Sequence, residues 1–186
     1  MDAVVIYESI FGNTQAIAQA IARGLSPHIP VREVQLPSFF PARDILDAEL
    51  VVLGGPTHTF GMSRPDSRRE AARRHPDHGE RAGGIREWLA ALADEAVGRS
   101  VVVFDTRLSS FRYTPGSAAG EASEHLQEKG ATLVDDPHSF YVDGDEGPLH
   151  AGELERAEEW GGRLGRAVVI AHQLPRTRED RRRWGT

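Results

Sequence analysis

The sequence predicts an α/β domain of three layers: a five-stranded parallel sheet with helices on both faces. Three observations carry this prediction. Ala3–Tyr7, Leu50–Leu53 and Val101–Phe104 are unbroken apolar runs of strand length, the pattern of strands covered on both sides. Between them, apolar residues recur every three or four positions, as on one face of a helix. Val31–Leu36 alternates apolar and polar residues, which marks a half-exposed strand at a sheet edge. Strands alternating with helices build parallel sheets through helical crossovers. With the three apolar strands central and the alternating one at an edge, the strand order is 2-1-3-4-5.

In chain order, Ile17, Ala20, Ile21 and Leu25 mark the first helix, with Asn13 as its expected N-cap and Gly24 as its stop. Pro41–Leu46 offers a short helix, and the third strand is expected to end in Gly54-Gly55-Pro56. Residues 63–83 are polar, Pro-interrupted and rich in arginine, and read as an insertion without a core face. Ile85, Trp88, Leu89, Leu92 and Ala96 restore a helical stripe. Ser117 caps a helix carrying Ala118, Ala122 and Leu126, which stops at Gly130. The fifth strand is Ala131–Val134, resumed at Ser139–Val142. Leu154, Ala157, Gly161, Leu164, Val168 and Ala171 set out a long closing helix. One domain over residues 1–172 is expected, followed by a charged tail over 173–186.

Composition narrows the function classes. A chain of 186 residues, 39% hydrophobic and 27% charged, suits one globular core. No apolar run approaches the roughly 20 residues of a membrane span, no secretory leader is expected, and the expected compartment is the cytoplasm. There is no cysteine, so thiolate chemistry and cysteine-held clusters are excluded, and any redox role needs an organic cofactor. The net charge is −6, divided between +3 over Gln173–Thr186 and −9 elsewhere. An acidic body argues against nucleic acid and suits a basic redox partner, or simply solubility.

The most informative stretch is Ser9-Ile10-Phe11-Gly12-Asn13-Thr14, between the first strand and the first helix. A helix start presents free backbone N–H groups and the positive end of its dipole, and so favours an anion. Ser9, Asn13 and Thr14 add side-chain donors. No lysine follows the glycine and no G-x-G-x-x-G is present, so triphosphate and dinucleotide loops are both set aside. What remains is a site for a monophosphate, bound without a compensating lysine.

Tyr7-Glu8-Ser9-Ile10-Phe11-Gly12-Asn13-Thr14 resembles the FMN-phosphate loop of flavodoxins. Its Ser-Ile-Phe-Gly segment is also similar to flavodoxin-like quinone reductases of the tryptophan-repressor-binding-protein family. The resemblance implies a flavodoxin-like fold, bound FMN, and a ligand held where three loops converge at the carboxyl ends of strands 1, 3 and 4. Phosphoreceiver domains share the strand order, but they need acidic residues after strand 1 and an aspartate after strand 3. Tyr7-Glu8-Ser9 and Gly54-Gly55-Pro56 occupy those places.

The second loop, Gly54 to Met62, resembles the flavin-ring loop of the superfamily, and Pro56, Thr57, His58, Thr59, Phe60 and Gly61 are its expected cofactor contacts. Its Gly-Gly-Pro also reads as a tight strand-end turn, and His58 as an exposed loop histidine or as a donor to the flavin or proton relay during its reduction. The third loop brings Asp105, Thr106 and Arg107, with Asp105 and Arg107 either facing the ring or paired with each other. Flavodoxins commonly sandwich the ring between a Trp and a Tyr. Here Trp88, Trp160 and Trp184 all lie elsewhere, which leaves Phe11, Phe60 and Tyr113 as ring neighbours and a more open flavin.

The expectation is an FMN-binding redox protein that passes electrons to a protein partner. Two other readings stay open: an NAD(P)H-dependent quinone reductase, and an interaction module with weak cofactor binding. No nucleophile or acid–base group is identified as catalytic, and no metal site is expected. A monomer or a homodimer fits equally. The 63–83 insertion reads as a lid, docking arm, interface or solvated excursion, and is expected to be dispensable for FMN binding.

Overall fold

The computed structural model describes residues 1–37, 47–76, 82–92 and 96–173. The expected helix over Pro41–Leu46, and the tail beyond residue 173 with Trp184, lie outside the described residues.

β1 (Ala3–Tyr7) is buried throughout and pairs in parallel with β2 (Val31–Gln35) and β3 (Leu50–His58). β3 turns back into the two-residue β4 (Gly61–Met62), then pairs in parallel with β5 (Ser100–Leu108). The fifth place is shared: β6 (Thr132–Leu133) pairs with the start of β5, and β7 (His138–Val142) with Phe104–Leu108. The expected order is therefore present, with its last strand broken between the two segments. Pro137, which has no N–H to give to a ladder, lies in the break. Asp135 in the same break accepts a hydrogen bond from Trp160 Nε1 at 2.8 Å.

Helices cover both faces. α1 (Asn13–Leu25) lies on one face, where Ile17, Ile21 and Leu25 join Val5, Val52, Val102 and Phe104. α2 (Pro65–Arg74) occupies the polar stretch after β4. α3 (Ile85–Ala91) and α4 (Ala118–Glu128) pack Ile85, Leu89, Ala122 and Leu126 on Val4, Val51, Val101 and Val103 of the opposite face. α5 (Glu153–Gln173) returns to the α1 side with Ala157, Trp160 and Leu164.

The expected ends of α1 are corrected. Gly12, not Asn13, is the N-cap, at φ 89°, a left-handed value that suits glycine. Ser9 Oγ accepts from the N–H groups of both Gly12 and Gln15 at 3.2 Å, so the capping hydroxyl comes from before the helix. Asn13 is helical, and its side-chain amide donates to the Glu146 carbonyl at 2.7 Å. Gly24 does not stop the helix. A Cβ there would stand 2.0 Å from the Glu158 carbonyl oxygen, and one at Gly161 would stand 2.2 Å from that of Ile21. These glycines let α1 and α5 meet backbone to backbone.

Candidate functional site

The carboxyl ends of β1, β3 and β5 converge on a cavity of about 390 Å³, within the range of small-molecule sites. The first loop contributes Ile10, Phe11, Asn13 and Thr14 to its wall. With Ser9 holding the N–H groups of Gly12 and Gln15, the first-turn amides of Asn13 and Thr14 are the ones left for a ligand. A Cβ built at Gly12 would meet nothing within 4 Å, so the cradle over the loop is open. Ser9 and Gly12 thus shape the loop but do not line the cavity.

The second and third loops are strand extensions rather than loops. Gly55 stands opposite Asp105 and Pro56 opposite Thr106 in a continuous parallel ladder. Gly54 and Gly55 make room for core side chains: a Cβ would come within 2.1 Å of Phe104 Cζ and 2.7 Å of Ile85 Cδ1, respectively. Pro56, Thr57, His58 and Thr59 line the cavity. The chain then reverses through Thr59 and Phe60, at φ 48° and 65°, in a two-residue turn that favours such values. Phe60 points away and packs edge-on against Phe111, with ring centroids 5.6 Å apart. Gly61 is also outside the wall; beside it, Glu121 accepts the Met62 N–H at 2.6 Å and pairs with Arg86. That pairing and the Met62 N–H overcome the upward push of partial burial and hold Glu121 below the ordinary glutamate range.

His58 is half-buried in the cavity wall, not an exposed loop residue. Burial, then the nearby Arg68, pushes its pKa down against the opposing pull of Asp145, which keeps the imidazole neutral.

On β5 the strand alternation separates the expected residues. Thr106 faces α1, and its hydroxyl meets that of Thr14 at 2.7 Å. Asp105 is fully buried, lies outside the cavity wall, and accepts the Ala119 N–H at the start of α4 at 2.9 Å. Burial raises its pKa, with the Ala119 N–H and the nearby Ser117, Ser139 and Thr57 hydroxyls opposing. Arg107 lines the cavity, yet its Nη2 donates to the Phe111 and Thr114 carbonyls at 2.5 and 2.9 Å. Its partners are thus main-chain carbonyls and not Asp105. Tyr113 is 91% exposed and does not border the cavity.

The largest difference from expectation is the inserted segment. Ser67, Glu70, Ala71, Arg74 and His75 of α2 and its end line the cavity, joined by Leu108, Val142 and Asp145. The core face of α2 is a charge. Arg68, 2% exposed, donates to Ser63 Oγ at 2.7 Å and to Glu87 Oε1 at 2.8 Å. Ser63 Oγ in turn donates to Glu8 Oε1 at 2.5 Å, and Glu8 Oε2 accepts the Ile85 N–H at 3.0 Å. Burial raises the pKa of Glu8, with the Ser63 and Ile85 bonds and Arg68 opposing. For half-exposed Glu87, burial also pushes upward, but the Arg68 bond and the Gly84 N–H prevail and bring it below the usual range. An apolar-periodicity reading passes over such a helix. Its visible signals were Pro65 at the first turn with Asp66, Arg73 and Arg74 in the last turn, and the Glu70–Arg74 spacing.

The wall is chemically divided. Ile10, Phe11, Pro56, Leu108 and Val142 offer apolar surface, while threonine hydroxyls, Arg107 and the α1 amides offer donors, with Glu70 and Asp145 the acidic residues of the wall. This set fits a planar aromatic ring carrying a phosphorylated tail, so the residues present fit FMN. Among the described residues, no cluster of acidic and histidine side chains is arranged to hold a metal ion.

No curated protein matches the chain in sequence. Among solved structures, an archaeal flavodoxin is 21% identical with a TM-score of 0.60, covering 91% of this chain and 99% of its own. The oxidised Flavodoxin 1 of Bacillus cereus is 18% identical with a TM-score of 0.63, covering 94% and 100%. A WrbA-like flavodoxin protein from Agrobacterium tumefaciens is 17% identical with a TM-score of 0.56, covering 91% and 98%. The model of the flavodoxin family matches residues 5–160, and the chain belongs to that family, which implies a flavin cofactor, usually FMN.

Proposed function

We propose that this chain binds FMN non-covalently and passes electrons through it to a protein partner. The observation that supports this best is the convergence of the α1 amides with the ends of β3 and β5 on one cavity, in a chain of the flavodoxin family. FMN supplies one- and two-electron transfer at its ring. In this reading, the amides and side chains of Asn13 and Thr14 hold the phosphate, with Ser9 fixing the loop from below. Ile10, Phe11, Pro56, Leu108 and Val142 exclude water from the ring, Thr57 and Thr59 hydroxyls orient its polar edge, and Thr106 steadies the Thr14 hydroxyl beside the phosphate. His58, kept neutral by burial, holds an N–H donor in the wall without adding charge.

A second reading, a quinone reductase fed by NAD(P)H, draws on the composition of the same wall. Among the described residues, Phe11 is the one Phe, Tyr or Trp that lines the wall, an aromatic cover on one side that suits the admission of a small substrate. Among the described residues, no helix is long and apolar enough to cross a membrane. The proposed setting is the cytoplasm, in one domain over residues 1–172.

The two readings part on partial reduction of the FMN-loaded protein. An electron carrier accumulates the one-electron state. The enzyme is reduced by NADH or NADPH alone and turns over on benzoquinone. Failure to take up FMN contradicts both and leaves the interaction-module reading.

A further inference from the structure

The phosphate loop has no basic residue of its own: the segment from Tyr7 to Ala22 contains neither lysine nor arginine. The fold brings basic residues to it from elsewhere. His75, at the C-terminal end of α2, packs edge-on against Phe11 of the loop, with ring centroids 5.1 Å apart. Its Nδ1 stands 2.5 Å from Glu146 Oε1, while the carbonyl of that same Glu146 accepts from Asn13 Nδ2 at 2.7 Å. His75 is therefore placed over the loop, between a residue on each of its sides, and it lines the cavity. Arg74 lines it too, but its Nε is held by Glu70 of the same helix at 2.8 Å.

The position is fixed from beneath. Arg68, one turn of α2 from the N-terminal end and buried, is bonded through Ser63 to Glu8, and Glu8 is the residue that precedes Ser9 in the loop. A continuous chain of hydrogen bonds thus runs from the loop to the helix that carries His75.

We propose that the end of α2 supplies a basic donor missing from the loop: His75 donates a ring N–H to the phosphate of the bound flavin, exchanging Glu146 for it. This rests on the FMN reading above and adds to it a recognition residue outside the three converging strands. A ring N–H donated to a phosphate dianion held by the α1 amides is a hydrogen bond to an ionised acceptor, of the stronger kind. Glu146 keeps its carbonyl bond from Asn13 beside the loop in that exchange.

The test compares FMN with riboflavin, which has the same ring and no phosphate, by fluorescence-quench titration of the full chain. His75→Gln is expected to weaken FMN binding by about tenfold and to leave riboflavin binding unchanged. Glu146→Gln is expected to tighten FMN alone, by about threefold, since it removes the competing carboxylate. Equal losses for the two flavins in His75→Gln would make His75 a packing partner of Phe11 and overturn the proposal, as would no loss for either. A parallel titration of the wild-type chain with inorganic phosphate, read by the NMR signals of the His75 ring, separates this inference from its premise. Saturable shifts in a chain that takes up no flavin would retain the anion site and overturn the FMN reading. Unmoved signals in such a chain would overturn both.

Discussion

Ser63 Oγ lies 2.5 Å from Glu8 Oε1, and this bond joins the end of β1 to the segment that carries α2. It turns a polar insertion into a wall of the cavity, because Arg68 completes the link from the far side with a bond to Ser63 at 2.7 Å. The bond from Arg68 to Ser63, and through it the link to Glu8, forms only while α2 is docked.

Removing Arg68 leaves the Glu8 and Ser63 groups without their cation in a buried setting. Arg68→Met is expected to destabilise the fold by about 3 kcal/mol, measured by urea unfolding. Combining it with Glu8→Gln is expected to recover part of that loss. A single-variant loss below about 0.5 kcal/mol would show that the network is solvated.

The touching backbones of α1 and α5 give a second test. Gly161→Ala places a methyl group where the Ile21 carbonyl oxygen would be 2.2 Å away, so the two helices must separate. A loss of about 2–3 kcal/mol in chemical unfolding is expected. Because this contact is remote from the cavity wall, flavin affinity measured under native conditions is expected to change little.

Asp105 gives a pH signature. Its pKa is raised in the fold by burial, so between its unfolded and folded values the native state binds more protons than the unfolded state. Stability from this group is complete below the ordinary aspartate value and is lost as pH rises through the folded value. Asp105→Asn removes the titration while keeping an acceptor for the Ala119 N–H. The variant is therefore expected to gain stability relative to wild type as pH rises from 4 toward neutrality. A difference that stays constant across that range would contradict the assignment.

Replacing residues 64–82 with a short Gly-Ser linker removes Arg68 and the lining residues Ser67, Glu70, Ala71, Arg74 and His75. FMN affinity is expected to fall by at least tenfold, against the simpler expectation that the insertion is dispensable. Unchanged affinity in a quench titration would place the flavin away from α2.

The sheet was legible because its signal is apolar burial. Ala3–Tyr7, Leu50–Leu53 and Val101–Phe104 could be read as central strands, and Val31–Leu36 as an edge, from the number of covered faces alone. The broken fifth strand was visible in the separation of Ala131–Val134 from Ser139–Val142. What the sequence hid lies where other forces decide. The polar ends of β3 and β5 are held by ladder pairing and carry no apolar pattern. Gly24 resembles a helix stop in one dimension, and only the position of α5 reveals it as a contact. α2 hid because its buried side chain is Arg68, neutralised by carboxylates far away in sequence. The first loop reads as a phosphate site in the sequence, but Arg74 and His75, which line the same cavity, come from that same helix.

The most direct measurement is the visible absorption spectrum of the purified protein after addition of FMN and desalting. A retained two-band flavin spectrum, one FMN per chain, is the result this account predicts. A colourless protein that takes up no FMN under native conditions would contradict it, leaving the fold in place without its proposed cofactor.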